Sequence, residues 1–228
     1  MLRGATVLTA ASAPMLAGLS ALGHTARRLP LGVDLDTWPS CPPQRRNLQT
    51  PLHLIHVASL NRVKDQTTLL QAVTLLPRHG VEFRLDIVGE DTLEGEVQAL
   101  ARRLGIASRT NFLGFLTRTQ LRPVLARAHV HLVSSLHEAG PLALLEAAVL
   151  GLPSVGTRVG HLAEWAGEAA LAVEIGDAQA LARAIAQLGG DEDLRLRLAH
   201  EAQRRAMRED ADHSAALLEA LYGELAGR

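Results

Sequence analysis

The sequence predicts an α/β protein built on a doubly wound parallel sheet. A short strand–helix–strand piece precedes the sheet and a helical segment follows it. Three observations lead there. Short apolar runs alternate with amphipathic stretches from Leu52 to Leu188. Most of these runs end at a glycine or at a loop of small polar residues. The apolar runs are too continuous for strands with one wet face, so both sheet faces must be covered by helices.

The elements follow in order. Ala5–Ala10, Ala13–Leu22 and Ala26–Pro30 read as strand, helix and strand. Gly32 to Pro51 carries Pro39 and Cys41-Pro42-Pro43, shows little periodicity, and reads as a linker. Leu52–Ala58 is a buried strand, and Asp65–Leu76 a helix with Leu69, Ala72, Val73 and Leu76 on one face. Phe83–Val88 is a strand and Leu93–Leu104 a helix stopped by Gly105. Thr110–Leu113, Thr119–Ala126 and Val130–Ser134 read as strand, helix and strand. Pro141–Leu150 is a helix stopped by Gly151; Ser154–Gly156 and Leu171–Val173 are strands, and Asp177–Leu188 a helix. From Asp191 onward the chain is helix-prone, with Leu217, Leu218, Leu221 and Leu225 as an apolar stripe. The division is thus 1–30, a linker over 31–51, one Rossmann-like domain over 52–190, and a helical segment over 191–228.

Composition excludes several classes. With 228 residues, 47% hydrophobic and 21% charged, the chain is a folded protein rather than a disordered one. A formal net charge of −1 and 3% aromatics argue against a nucleic-acid binder. The single cysteine, Cys41, forms no intrachain disulfide and fits a reducing compartment. Arg3 before an apolar stretch resembles a secretory leader, but Pro14 interrupts the stretch and Thr6, Thr9, Ser12 and Ser20 dilute it. No run is long enough to span a membrane. His137-Glu138 lacks the second histidine of a zinc protease. The P-loop pattern and a G-x-G-x-x-G after the first strand of the domain are absent. His53, His56, His129 and His131 fall in or beside strands and read as core or edge residues.

In such a sheet ligands sit beyond the carboxyl ends of the strands, so the informative loops are Ser59–Lys64, Gly89–Asp91, Gly114–Thr117, Ser134–Gly140 and Thr157–Glu164, and the segments around three of them can carry chemistry. The first is Ser134 to Leu142, which opens a helix at Pro141; free N–H groups there and the helix dipole make an anion site. Glu138 precedes that helix and Glu146 lies inside it, and carboxylates accept hydrogen bonds from sugar hydroxyls. Taken alone this is also an ordinary helix start with two solvated glutamates. The second is Ser59-Leu60-Asn61-Arg62-Val63-Lys64-Asp65, with Asp65 as N-cap. Of 23 basic residues only Lys64 is lysine, as if a GC-rich bacterial coding sequence kept it where the planar guanidinium fails. The third is Gly156 to Glu164, whose glycines allow close backbone approach.

Together these segments resemble the retaining glycosyltransferases of glycosyltransferase family 4, of the GT-B fold, over roughly residues 28–190. Leu31-Gly32-Val33-Asp34 is similar to the family's "N-G-V-D" junction, and Val57 to Lys64 to its "G-R-L-x-x-x-K" loop. Val88-Gly89-Glu90 resembles "V-G-x-G", and Asn111 to Phe115 the "F-x-G" element. Glu138 to Glu146 is similar to the E-x7-E signature, and Gly156 to Glu164 to "G-T-x-x-G-G-x-x-E". The resemblance implies the carboxy-terminal, donor-binding domain, with residues 1–30 as a remnant of the acceptor-side domain.

Roles follow from the resemblance. Lys64 and Arg62 neutralise the leaving diphosphate and Glu138 holds the transferred sugar. Ser59, Asn61, Gly89, Gly140, Pro141 and Leu142 line the donor, Phe115 and Leu116 lie near the base, and Glu146 binds the ribose. The resemblance implies a nucleotide-diphosphate sugar as substrate with no cofactor and no metal. The acceptor is unknown, and a separate acceptor-domain polypeptide is a candidate partner. It also implies cell-envelope or polysaccharide synthesis in the cytoplasm or at the inner face of the membrane. A non-catalytic nucleotide-sugar-binding or interaction module is the alternative. Two departures stand out: Ser59 occupies the place of the family's phosphate-binding arginine, and His161 replaces the second glycine of its pair.

Overall fold

A computed structural model describes residues 4–227; Met1 and Arg3 of the leader-like segment lie outside them. Thr9–Ala10 (β1) and Arg27–Arg28 (β2) form a small parallel sheet around the helix Ala13–Ala21 (α1). The ladder involves only Thr9↔Arg27 and Ala10↔Arg28, so both strands are shorter than expected.

The main sheet contains Leu52–Val57 (β3), Phe83–Val88 (β4), Thr110–Gly114 (β5), Val130–Val133 (β6), Ser154–Thr157 (β7) and Ala170–Val173 (β8). All neighbours are parallel, in the order β5-β4-β3-β6-β7-β8. The order reverses between β3 and β6, which makes their carboxyl ends the topological switch point. Gln66–Leu75 (α2), Glu96–Arg103 (α3), Arg118–Arg127 (α4), Leu142–Val149 (α5), Gly160–Trp165 (α6), Ala178–Gly190 (α7), Glu192–Arg208 (α8) and Ala211–Ala226 (α9) complete the fold. On β3, Leu52 and Leu54 face a core with α2, α3 and α7, while Ile55 faces the core of α4 and α5. That two-residue alternation on a strand buried on both faces is what the apolar run encodes.

Four local expectations are corrected. α3 begins at Glu96 rather than Leu93, because the Asp91 carboxylate accepts the N–H groups of Leu93 (2.8 Å) and Gly95 (2.9 Å) and holds a loop there. Pro141 is the N-cap of α5 and not its first helical residue, since its ψ of 112° is extended. The loop assigned to 157–164 turns into α6 at Gly160, a helix of six residues, too short to show a period. The carboxy-terminal helical segment is two helices. Asp210 caps α9 through the His213 N–H (2.9 Å), and Ala211 N–H donates to the Val33 carbonyl (3.1 Å).

Residues 31–51 form no helix or strand, yet they pack closely. Val33 and Trp38 are buried in the core beside α4 and α5. Cys41 N–H donates to the Val149 carbonyl (3.2 Å), and the Gln203 amide donates to the Cys41 carbonyl (2.7 Å). The buried Arg195 guanidinium reaches the Gln44 carbonyl (2.5 Å) and Glu192 (2.7 Å). Those hydrogen bonds satisfy a charge that burial would otherwise make costly.

Candidate functional site

Lys64 and Glu138 meet at the switch point. The Asn61 side chain accepts the N–H groups of Val63 (3.0 Å) and Lys64 (3.1 Å), winding Arg62–Lys64 into one 3-10 turn. Asp65 then takes a left-handed conformation, φ 44°, and caps α2 by accepting the Thr68 N–H (3.2 Å). The loop after β6 is stitched onto this turn. Ser134 Oγ donates to the Lys64 carbonyl (2.7 Å), and Leu136 N–H to the Val63 carbonyl (2.8 Å). Both side chains are therefore delivered from loops fixed to each other. Lys64 Nζ lies 2.5 Å from Glu138 Oε1, which also accepts from Ser135 Oγ at 2.7 Å.

A pocket of about 110 Å³ opens here, lined by Lys64, Ser135, Glu138, Pro141 and Leu142 together with His56 and His131. No side chain caps α5, and its first residues, Leu142 and Ala143, line this pocket. His56 is fully buried. Its Nδ1 lies 3.0 Å from the Leu132 carbonyl oxygen, which can only accept, so Nδ1 carries the proton. Nε2 then accepts from the Gln66 amide (3.2 Å), which also donates to the Ser59 carbonyl (3.1 Å). Burial pulls the His56 pKa down to about 4, so this ring is neutral at pH 7.

Other expected site residues are near but not all together. Gly89 ends β4 with φ 150°, and a Cβ there would stand 2.0 Å from the Ala58 carbonyl oxygen. Only glycine lets the ends of β3 and β4 approach so closely. Gly140, Pro141 and Leu142 form the entry to α5, with Leu142 half exposed. Glu146 lies one turn further along α5, its carboxyl raised by burial against the opposing pull of Arg118. Phe115 is exposed just past β5, and Leu116 packs on the core beside it. Ser59 is exposed and joins through its carbonyl alone. Arg62 is not brought to the pair: it extends into solvent and binds Glu96 of α3 at 2.8 Å.

Sequence reading missed Ser135, Gln66 and His56 as supports: Ser135 serves Glu138 three residues on, Gln66 ties Ser59 to His56, and only His56 reaches another strand, at the Leu132 carbonyl. It also gave Glu164 no role. Glu164 accepts the Ala13 N–H at the start of α1 (2.5 Å) and lies 3.5 Å from Arg28. The signal available was its place at the end of the glycine-rich motif.

A family model, Glycosyl transferases group 1, matches residues 42–205. The chain belongs to this family. Among curated relatives, the lipopolysaccharide core biosynthesis glycosyltransferase LpsE of Rhizobium meliloti is 38% identical over 161 residues, covering 68% of this chain and 45% of LpsE. A D-inositol 3-phosphate glycosyltransferase of Corynebacterium urealyticum is 34% identical over 193 residues, covering 79% of this chain and 46% of the relative. The chain spans about half the length of the curated relatives it matches. The sucrose-phosphate synthase of Thermosynechococcus elongatus superposes with TM-score 0.86 at 23% identity, over 99% of this chain and 60% of its own. Anabaena HepE, solved with UDP and glucose, gives 0.80 at 20% identity, over 99% and 64%. These two structural likenesses show that the fold shared with those chains extends through nearly the whole of this one. Among the described residues no helix is long and apolar enough to cross a membrane.

Proposed function

We propose that this chain is the donor-binding half of a retaining glycosyltransferase that moves a sugar from a nucleoside-diphosphate sugar to an acceptor. The observation that carries it is the Lys64–Glu138 pair beside the open start of α5. The diphosphate accepts from the first N–H groups of α5, and Lys64 turns from Glu138 toward it. As the glycosyl–oxygen bond breaks, negative charge grows on the leaving diphosphate, and Lys64 with the helix end stabilises it in place. Glu138, released from Lys64, accepts from hydroxyls of the transferred sugar. Glu146 accepts from the ribose, with Phe115 and Leu116 beside the base. The glycosyltransferase activity of the LpsE relative supports the reaction class.

The acceptor site belongs to a region that this sequence does not span, on a separate polypeptide or on further chain. Support comes from the two-residue strands β1 and β2, from α1 and α9 without a buried residue, and from exposed Leu22, Leu217, Leu218 and Tyr222. Residues 1–30 then stand as the remnant of that acceptor-side domain and 31–51 as the strap joining it to the donor domain. A cytoplasmic setting, where sugar nucleotides are made, fits this role. A second reading, a non-catalytic nucleotide-sugar-binding or interaction module, is favoured by exposed Ser59 and by Arg62 engaged with Glu96.

Calorimetric titration with UDP, GDP, ADP and one sugar conjugate of each separates the readings. Lys64→Ala is expected to weaken binding by roughly 1–3 kcal/mol, the worth of a charged hydrogen bond. Equal affinity in the variant would place the donor elsewhere. A folded chain that binds none of these ligands would favour the module.

A further inference from the structure

A nucleoside diphosphate brings several negative charges to the start of α5. The cations around that end already face carboxylates. Lys64 is 2.5 Å from Glu138, Arg62 is 2.8 Å from Glu96, and Arg158 is 3.3 Å from Glu174. Arg118 acts on Glu146. Of these cations the donor-site reading frees Lys64 alone, so a diphosphate carrying more than one negative charge has room for a further cation.

His161 can supply it. The residue is 2% exposed. Its Nε2 lies 3.2 Å from the Ala11 carbonyl oxygen, so Nε2 bears the proton and Nδ1 a lone pair. Nδ1 is buried and has no hydrogen-bond partner among the described residues. This edge of the ring is turned to Gly140: a Cβ there would stand 2.6 Å from Cε1 and 3.1 Å from Nδ1. The absent side chain of Gly140 is thus what lets the imidazole reach the loop that opens α5. The charged groups around the ring are Glu164 on its own helix, Arg28 on β2 and Glu209 at the end of α8. Glu138 comes close through the neighbouring Gly160, where a Cβ would stand 3.2 Å from the Glu138 Cβ. Burial holds the imidazole below its ordinary pKa, with Arg28 acting the same way against Glu164 and Glu209.

We propose that His161 is a proton-accepting ligand of the donor diphosphate. Binding draws one proton from solvent onto Nδ1, and the new Nδ1–H donates to a phosphate oxygen. The inference rests on the donor-site reading above. A neutral histidine becomes the added cation only when the anion is present, because a nearby negative charge favours the protonated ring. Nucleotide binding should therefore take up a proton.

The test is titration of the whole chain with UDP, GDP and ADP in buffers of differing ionisation enthalpy, which reads protons taken up per nucleotide. His161→Gln is the comparison, since its amide can keep the bond to Ala11 but does not titrate. Wild type is expected to take up more protons than the variant near pH 7.5, and the variant to bind about tenfold more weakly. Equal uptake in the two would overturn the inference and leave the donor-site reading standing. No saturable binding by folded wild type would overturn both. Should the variant fail to fold, nitrogen-15 shifts of the wild-type ring decide: Nδ1 moving to the protonated range at saturation supports the proposal, and Nδ1 remaining neutral overturns it.

Discussion

At the scale of single residues, the contrast between Lys64 and Arg62 is the most informative. Both sit in one loop, yet the 3-10 turn points Lys64 at Glu138 and leaves Arg62 in solvent with Glu96. Exposed ion pairs of the second kind contribute little. Arg62→Ala is accordingly expected to alter nucleotide affinity far less than Lys64→Ala in the same titration. Glu138→Ala should separate ligands instead of weakening them all. It removes a contact to sugar hydroxyls while freeing Lys64, so affinity for the sugar conjugate should fall more than affinity for the free nucleotide. Equal losses would argue that Glu138 acts only through Lys64. The special status of Lys64 was legible from composition, as the one lysine among 23 basic residues. The divergence of Arg62 was not, because Glu96 is brought near by the packing of α3 on α2.

At the scale of elements, the loop between β3 and α2 is a device for aiming one amine. Asn61 and Asp65 each spend a side chain on backbone N–H groups, one to wind the turn and one to start the helix. Removing such a cap costs roughly 1 kcal/mol. Asn61→Ala should lower the unfolding free energy measured in urea by about that amount. It should also weaken nucleotide binding, since Lys64 loses its fixed approach; unchanged binding would show that Glu138 alone positions the amine. The helix after β6 illustrates where local reading stops. Pro141 signals a helix start correctly, but its extended ψ shifts the first helical residue to Leu142. Helix α6 escapes a periodicity reading because six residues make less than two turns.

At the scale of the molecule, buried histidines govern the response to acid. Burial holds His56 at about 4 and His131 at about 3, both well below the ordinary histidine value. The unfolded chain therefore binds more protons than the folded one between roughly pH 6.5 and 3. The stability they contribute is present above that window and is lost as pH falls through it. Urea unfolding should show a decline of a few kcal/mol from pH 7.5 to pH 4.5. His131→Asn, which cannot titrate, should flatten part of that slope. A profile that stays level across the window would mean these rings are hydrated in solution.

The sequence by itself determined the class of fold, the order of its strands along the chain and the three loops that could carry a ligand. Those features are local: apolar runs, glycine stops, helix starts and short motifs are written in neighbouring residues. Only the tertiary structure decided that Lys64 pairs with Glu138, that Glu164 holds the start of α1, and that His161 lies edge-on to Gly140. Each of these contacts joins residues far apart in sequence. Their partners are chosen by the strand order, and the reversal between β3 and β6 comes from packing helices on both faces of one sheet. No spacing along the chain encodes that reversal.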